Sequence, residues 1–142
     1  AVIDNSETNV RLLYDATTAE DAFWQFVVPP DFGTAPQVRV LYSMLSCTSG
    51  GVSLDIDVMA VTPGDAGDIN TASYDTVNNC DDAAVPATAG LLDSIVCVLT
   101  NNDSMAAGDL IKIRIQREVA DASDTCTGDM EIVGVMLEWT KS

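Results

Sequence analysis

The sequence predicts an all-β fold: a single-domain antiparallel β-sandwich of about eight strands, with jelly-roll topology as the leading order. Three observations predict it. Apolar residues recur at every second position over several long stretches, turn-forming clusters separate those stretches, and no helical period of useful length competes. A chain of 142 residues suits one domain. A domain of that size hides roughly 70% of its unfolded surface, enough for a true core.

Residues 1–9 are polar and read as a flexible N-terminal arm that orders only by lying on a neighbour, ahead of one domain over 10–142. Less regular strands are expected at 10–14, 22–28, 73–78 and 93–100. In FWQFVV both parities are apolar, with Phe23 and Val27 on one face and Trp24, Phe26 and Val28 on the other. Such a strand is covered by another segment or sits in a subunit interface. Over 37–46, Val38, Val40, Tyr42 and Met44 oppose Arg39, Leu41, Ser43 and Leu45. Over 51–61, Val52, Leu54, Ile56, Val58 and Ala60 oppose Ser53, Asp55, Asp57 and Met59. Over 109–117, Ile111, Ile113 and Ile115 oppose Leu110, Lys112, Arg114 and Gln116. The last strand, 130–140, is expected to turn Val133, Val135, Leu137 and Trp139 inward. Turn clusters such as PPDFGTAP, CTSGG, TPGDAGD, NNDSMAAGD and DASDTCTGD separate these runs.

Charge placement supports the jelly-roll order. That wrap pairs the fourth strand with the seventh and the third with the eighth. Asp55 and Asp57 then fall across from Lys112 and Arg114, and Arg39 across from Glu138, as cross-strand pairing favours. The same order gathers the cysteines at or near one end. Of the three pairings that four cysteines allow, it favours Cys47–Cys126 with Cys80–Cys97. Four free buried thiols are the alternative.

Composition excludes several functions. With 22 acids against 6 bases and a formal charge of −16, the surface repels phosphate backbones and anionic lipids, so neither nucleic acid nor membrane is an expected partner. No apolar run reaches the roughly 18 residues that span a bilayer. The start, AVIDNSETNV, lacks the charged-then-apolar pattern of an export leader. Histidine is absent, which removes the Ser-His-Asp and Cys-His nucleophile systems. No enzyme activity and no cofactor are expected. Acid-rich loops offer weak calcium candidates at Asp65 and Asp68, at Asp81 and Asp82, and best at Asp121, Asp124, Asp129 and Glu131, with solvated turn aspartates as the default for all of them. Trp24, Tyr14, Tyr42, Tyr74 and Trp139 are the candidates for a sugar platform, with Tyr42 and Trp139 on the core parity of their strands.

The stretch from 106 to 139 resembles a pattern found in small jelly-roll virion proteins of tailed phages. The elements that carry it are Gly108-Asp109, Arg117-Glu118, Asp124-Thr125, Gly128-Asp129 and Trp139, together with the strand-then-proline run FVVPPDF at 26–32. The resemblance implies a virion accessory protein of the capsid decoration, head-fibre or tail-surface type. Its partners would be further copies of itself and the major capsid protein or another virion component, and its location the virion surface. The cysteines depart from that pattern.

Physical reasons for the motif stand beside the resemblance. Gly108 and Gly128 suit positive-φ turns. Arg117 shares the parity of Ile111, Ile113 and Ile115, so it points inward and needs a partner, Asp124 or Asp129. The three form a structural clamp. Apolar residues at outward positions, namely Phe23, Trp24, Val27, Leu41, Leu45, Met59, Ile132 and Met136, are expected to form interfaces, a homotrimer being favoured. The alternatives are a carbohydrate-binding or adhesin module, and an extracellular filament subunit that exchanges its N-terminal strand.

Overall fold

Alternation at period two becomes nine strands in the computed structural model, which describes residues 1–5 and 10–142, the side chains of residues 2, 4 and 5 excepted. The strands are β1 (Val2–Asn5), β2 (Val10–Tyr14), β3 (Asp21–Val27), β4 (Phe32–Met44), β5 (Val52–Val61), β6 (Asn78–Asp82), β7 (Asp93–Val98), β8 (Leu110–Arg117) and β9 (Met130–Lys141). They form a five-stranded sheet, β1-β2-β9-β4-β7, and a four-stranded sheet, β3-β8-β5-β6. Every pairing is antiparallel. The protein is an all-β sandwich, and the pairs β2·β9, β3·β8, β4·β7 and β5·β6 nest one inside the next. The two pairings argued from charge, β5·β8 and β4·β9, are both present.

The core lies between the sheets and is built from the alternating positions. Val38, Val40, Tyr42 and Met44 of β4 meet Leu54, Ile56 and Val58 of β5 and Ile111, Ile113 and Ile115 of β8, all fully buried. The β-branched residues of β8 suit the pleat, where their restricted χ1 costs little.

The structure differs from the sequence reading at four places. β6 lies at 78–82, not 73–78, because it is anchored by polar groups and sulfur instead of an apolar face. The Asn78 amide donates to the carbonyls of Ile56 (3.1 Å) and Asn101 (2.9 Å) and accepts from the Asn101 N–H (3.0 Å), and Cys80 is bridged to Cys97. In β9 the register against β4 shifts between Leu41 and Tyr42, so that Gly134 faces Leu41 while Ile132 faces Tyr42. This bulge reverses the parity. Ile132 is 3% exposed and core-facing, whereas Val133, expected inside, is 39% exposed. Residues 2–5, placed by the sequence in a free arm, pair with β2, while 6–9 fall outside the described residues. Gly128 serves proximity, not φ: a Cβ there would sit 2.7 Å from the Cys47 nitrogen. Gly108 does adopt a φ of +92°.

The two disulfides are Cys47–Cys126 and Cys80–Cys97. The first joins the β4–β5 loop to the β8–β9 loop. The second joins β6 to β7, edge strands of opposite sheets, and so closes one side of the sandwich. The other side is closed only in part. The Tyr14 hydroxyl donates across the core to the Ile115 carbonyl (3.0 Å), and the N-terminal ammonium donates to the Asp21 carbonyl (3.3 Å). β2 pairs with just Met130–Ile132 of β9.

Loop-closure entropy assigns the bridges unequal weights. The bridges span sequence separations of 79 and 17, so the Cys47→Ala/Cys126→Ala variant should lose about 4.5 kcal/mol and the Cys80→Ala/Cys97→Ala variant about 3 kcal/mol. Urea denaturation of the two double variants reads the difference. The reverse order would show that closure of the unfolded chain is not what the bridges act through.

Candidate functional site

The strict alternation of β8 ends by carrying a guanidinium into the interior. Arg117 is completely buried. Its Nε and one terminal nitrogen donate to the two oxygens of Asp124, each at 2.9 Å. Further donations reach the carbonyls of Gly128 and Cys126, both at 2.7 Å. A planar fork meeting a carboxylate in this way is the strongest geometry available to an ion pair. Asp124 also accepts from the Ser53 N–H (3.2 Å). The loop carrying Asp124 is then sewn to the β4–β5 loop, with the Thr125 and Cys126 N–H groups donating to the Gly51 carbonyl and the Gly51 N–H donating to the Thr125 hydroxyl.

Asp129, the other expected partner of Arg117, is not in the clamp. It accepts from the Ala16 N–H (3.1 Å), and its carbonyl takes the Leu45 N–H (2.9 Å), so it ties the β2–β3 and β4–β5 loops instead. The remaining calcium candidates are also dispersed. Asp121 accepts from the Ser123 N–H (2.7 Å) and closes a turn. Glu131 is 4% exposed and engages Arg11 (2.7 Å) through one oxygen and the Ser43 hydroxyl (2.8 Å) through the other. Among the described residues, no group of three or more His, Cys, Asp or Glu side chains is placed to hold a metal ion. The Arg11–Glu131–Ser43 network was missed by the sequence reading. The bulge hid it by turning Glu131 to the parity of Ser43.

Five of the six bases are paired with acids: Arg11 with Glu131, Arg39 with Glu138, Arg114 with Asp57, Arg117 with Asp124, and Lys141 with Asp31. Hydrogen bonds from Arg39, then from Gln37, hold the Glu138 carboxyl below its ordinary pKa. The Tyr74 ring lies 5.8 Å from the Arg114 guanidinium, stacking a cation–π contact onto the Asp57 pair. Tyr14 and Tyr42 are raised well above the ordinary phenol value, both chiefly by burial; for Tyr42 a hydrogen bond to Asp82 (2.6 Å) adds to it.

The apolar interface candidates divide. Phe23 and Val27 stand 55% and 66% exposed on the outer face of the four-stranded sheet, and Leu45 and Met136 are also exposed. Trp24 and Leu41 are partly buried, Trp24 against the core. Met59 and Ile132 are corrected to interior positions, at 2% and 3% exposure. Ile132 is turned in by the bulge. Met59 lies where the segment after β5 returns beside that strand, with the Asp75 N–H donating to the Val58 carbonyl (2.8 Å). Sequence reading missed Val96 and Val98, which are exposed on β7, although their alternation with Ile95 and Cys97 was a readable signal.

Val96 and Val98 lie on β7, at the bridged side, while Phe23 and Val27 of β3 and Met136 of β9 lie towards the partly open side. There Phe26, Val27 and Pro29 face Met136, Leu137, Glu138 and Trp139 across a groove of about 380 Å³. Trp139, expected in the core, packs at the groove's end against Phe32, with ring centroids 6.3 Å apart, and its indole N–H donates to the Asp31 carbonyl (3.3 Å). No family model, curated protein or solved structure matches this chain.

Removing one partner of the buried pair strands the other. Arg117→Ala should cost about 3–5 kcal/mol in chemical denaturation, with Arg117→Lys recovering part of it; a loss under 1 kcal/mol would remove the clamp from the account of stability. Alkali should act through the tyrosines. A phenol whose folded pKa is raised stabilises the fold below its unfolded value of 10.0 and loses that contribution as pH climbs above it. Tyrosinate absorbance from Tyr14 and Tyr42 should therefore appear together with unfolding, not as an independent titration near the ordinary value.

Proposed function

We propose that this chain is a non-enzymatic structural protein of a virion surface, most simply a capsid decoration protein that binds its particle and its own copies through apolar strand faces. The nested pairing of strands is read as a jelly roll, and double-sheet jelly rolls recur in viral capsid and lectin domains. The observation that carries the reading is the exposure of Phe23 and Val27 on β3, in a chain with a formal charge of −16. Apolar side chains held in the open on a rigid sheet mark a contact surface. The acidic remainder keeps the free protein dispersed and faces solvent after assembly. Two disulfides suit an oxidising, extracellular setting. The carbohydrate-binding alternative draws less support, because the Tyr14 and Tyr42 rings are in the core.

In this reading the protein is a trimer, and the β3 face contributes to its contacts. Light scattering across concentration should give about three times the 15.0 kDa chain mass. Phe23→Ser/Val27→Ser should shift the mass to that of the monomer with little change in melting temperature, since both side chains are already in water. A monomer at every concentration overturns the trimer, and an unaltered trimer in the double variant removes β3 from the interface.

A further inference from the structure

We infer that the open edge of β9, from Val133 to Thr140, docks an extended strand of a partner protein whose alternate side chains are apolar and whose flanks are rich in Lys or Arg. The inference stands independently of the virion reading. β9 runs from Met130 to Lys141 and is paired with β4 along nearly its whole length. On its other edge β2 reaches only Ile132. Among the described residues, no strand pairs with that edge beyond this point, so a row of backbone donors and acceptors is left for a further strand. Beside it lies the groove walled by Phe26, Val27, Pro29, Met136, Leu137 and Trp139. A strand added to β9 would send every second side chain towards that wall, and apolar side chains fit it.

Charge selects the occupant. The acids at the groove are already neutralised, Glu138 by Arg39 and Asp31 by Lys141. An apolar strand can therefore enter without meeting an unpaired carboxylate. The molecule around the groove has a formal charge of −16, which attracts cationic flanks. Within a second copy, the edge strands β6 and β7 carry Asp81, Asp82 and Asp93, and the start of β3 is engaged by the N-terminal ammonium at the Asp21 carbonyl.

The probe is the synthetic peptide KKVTVTVKK, titrated into the full chain with tryptophan fluorescence and amide hydrogen exchange as readouts. Its control is KKVPVPVKK, which keeps charge and apolar content but lacks two backbone donors. The first peptide should bind saturably at low salt, slow exchange within 133–140, and weaken as salt is added. The control should fail, and Val27→Lys, at an exposed position on the groove wall, should weaken binding at least about tenfold. Equal binding of the proline peptide, no protection within 133–140, or indifference to Val27→Lys would overturn the proposal. So would self-association that protects 133–140 without peptide and strengthens with salt, which would make a second copy the occupant.

Discussion

A guanidinium without exposed surface governs one end of this molecule. Taking Arg117 out of water is unfavourable by several kcal/mol, and the fold tolerates it because Asp124 and two carbonyls meet the charge in fixed directions. Those directions dictate the path of residues 118–129. Once that loop is placed, Gly51 can bond to Thr125 and Cys126, and Cys126 arrives beside Cys47. A buried ion pair is weak evidence of net stability, but here it specifies one arrangement of two loops where an apolar residue would permit many. The disulfide then makes that arrangement permanent.

Much of this was legible in the sequence, for reasons that differ between residues. β5 and β8 alternate without interruption, so their faces could be read directly, and Arg117 could be placed inside by counting from Ile115. The scarcity of bases made Arg39, Arg114 and their acidic partners informative about strand order. That order favoured one cysteine pairing among three, and both of its bridges are present. What escaped the sequence were features with no periodic signature. A single extra residue in β9 exchanged the roles of Ile132 and Val133, and nothing local marks a bulge in MEIVGVML apart from Gly134. β6 has a composition, NNCDD, that reads as a turn, because its place depends on Asn78 reaching two carbonyls far away in sequence. Met59 looked outward by parity, and its burial depends on a returning segment.

The candidate surface was legible in composition and less so in position. Phe23 and Val27 stood out because both parities of β3 are apolar, and they are exposed. The groove at the partly open side could not be foreseen, since it depends on where β2 ends relative to β9. The two sides of the sandwich thus have unlike edges: one is crossed by a covalent bond between the sheets, and on the other, among the described residues, β9 has no strand partner beyond Ile132.

The bridge between Cys47 and Cys126 also has a mechanical consequence. A chain pulled from its two ends transmits load through covalent links, and this bond carries the load past everything between those residues. The strands from β5 to β8 are therefore shielded from tension, together with the clamp at the end of β8. Only the stretches 1–46 and 127–142 can be drawn out, which makes β9 and β4, zipped over nearly their full length, the elements that bear the force. Reduction of that one bond would release the shielded length apart from the stretch 80–97, which the second bridge still closes, so the extensibility of the molecule is set in steps by the redox state of its sulfur atoms.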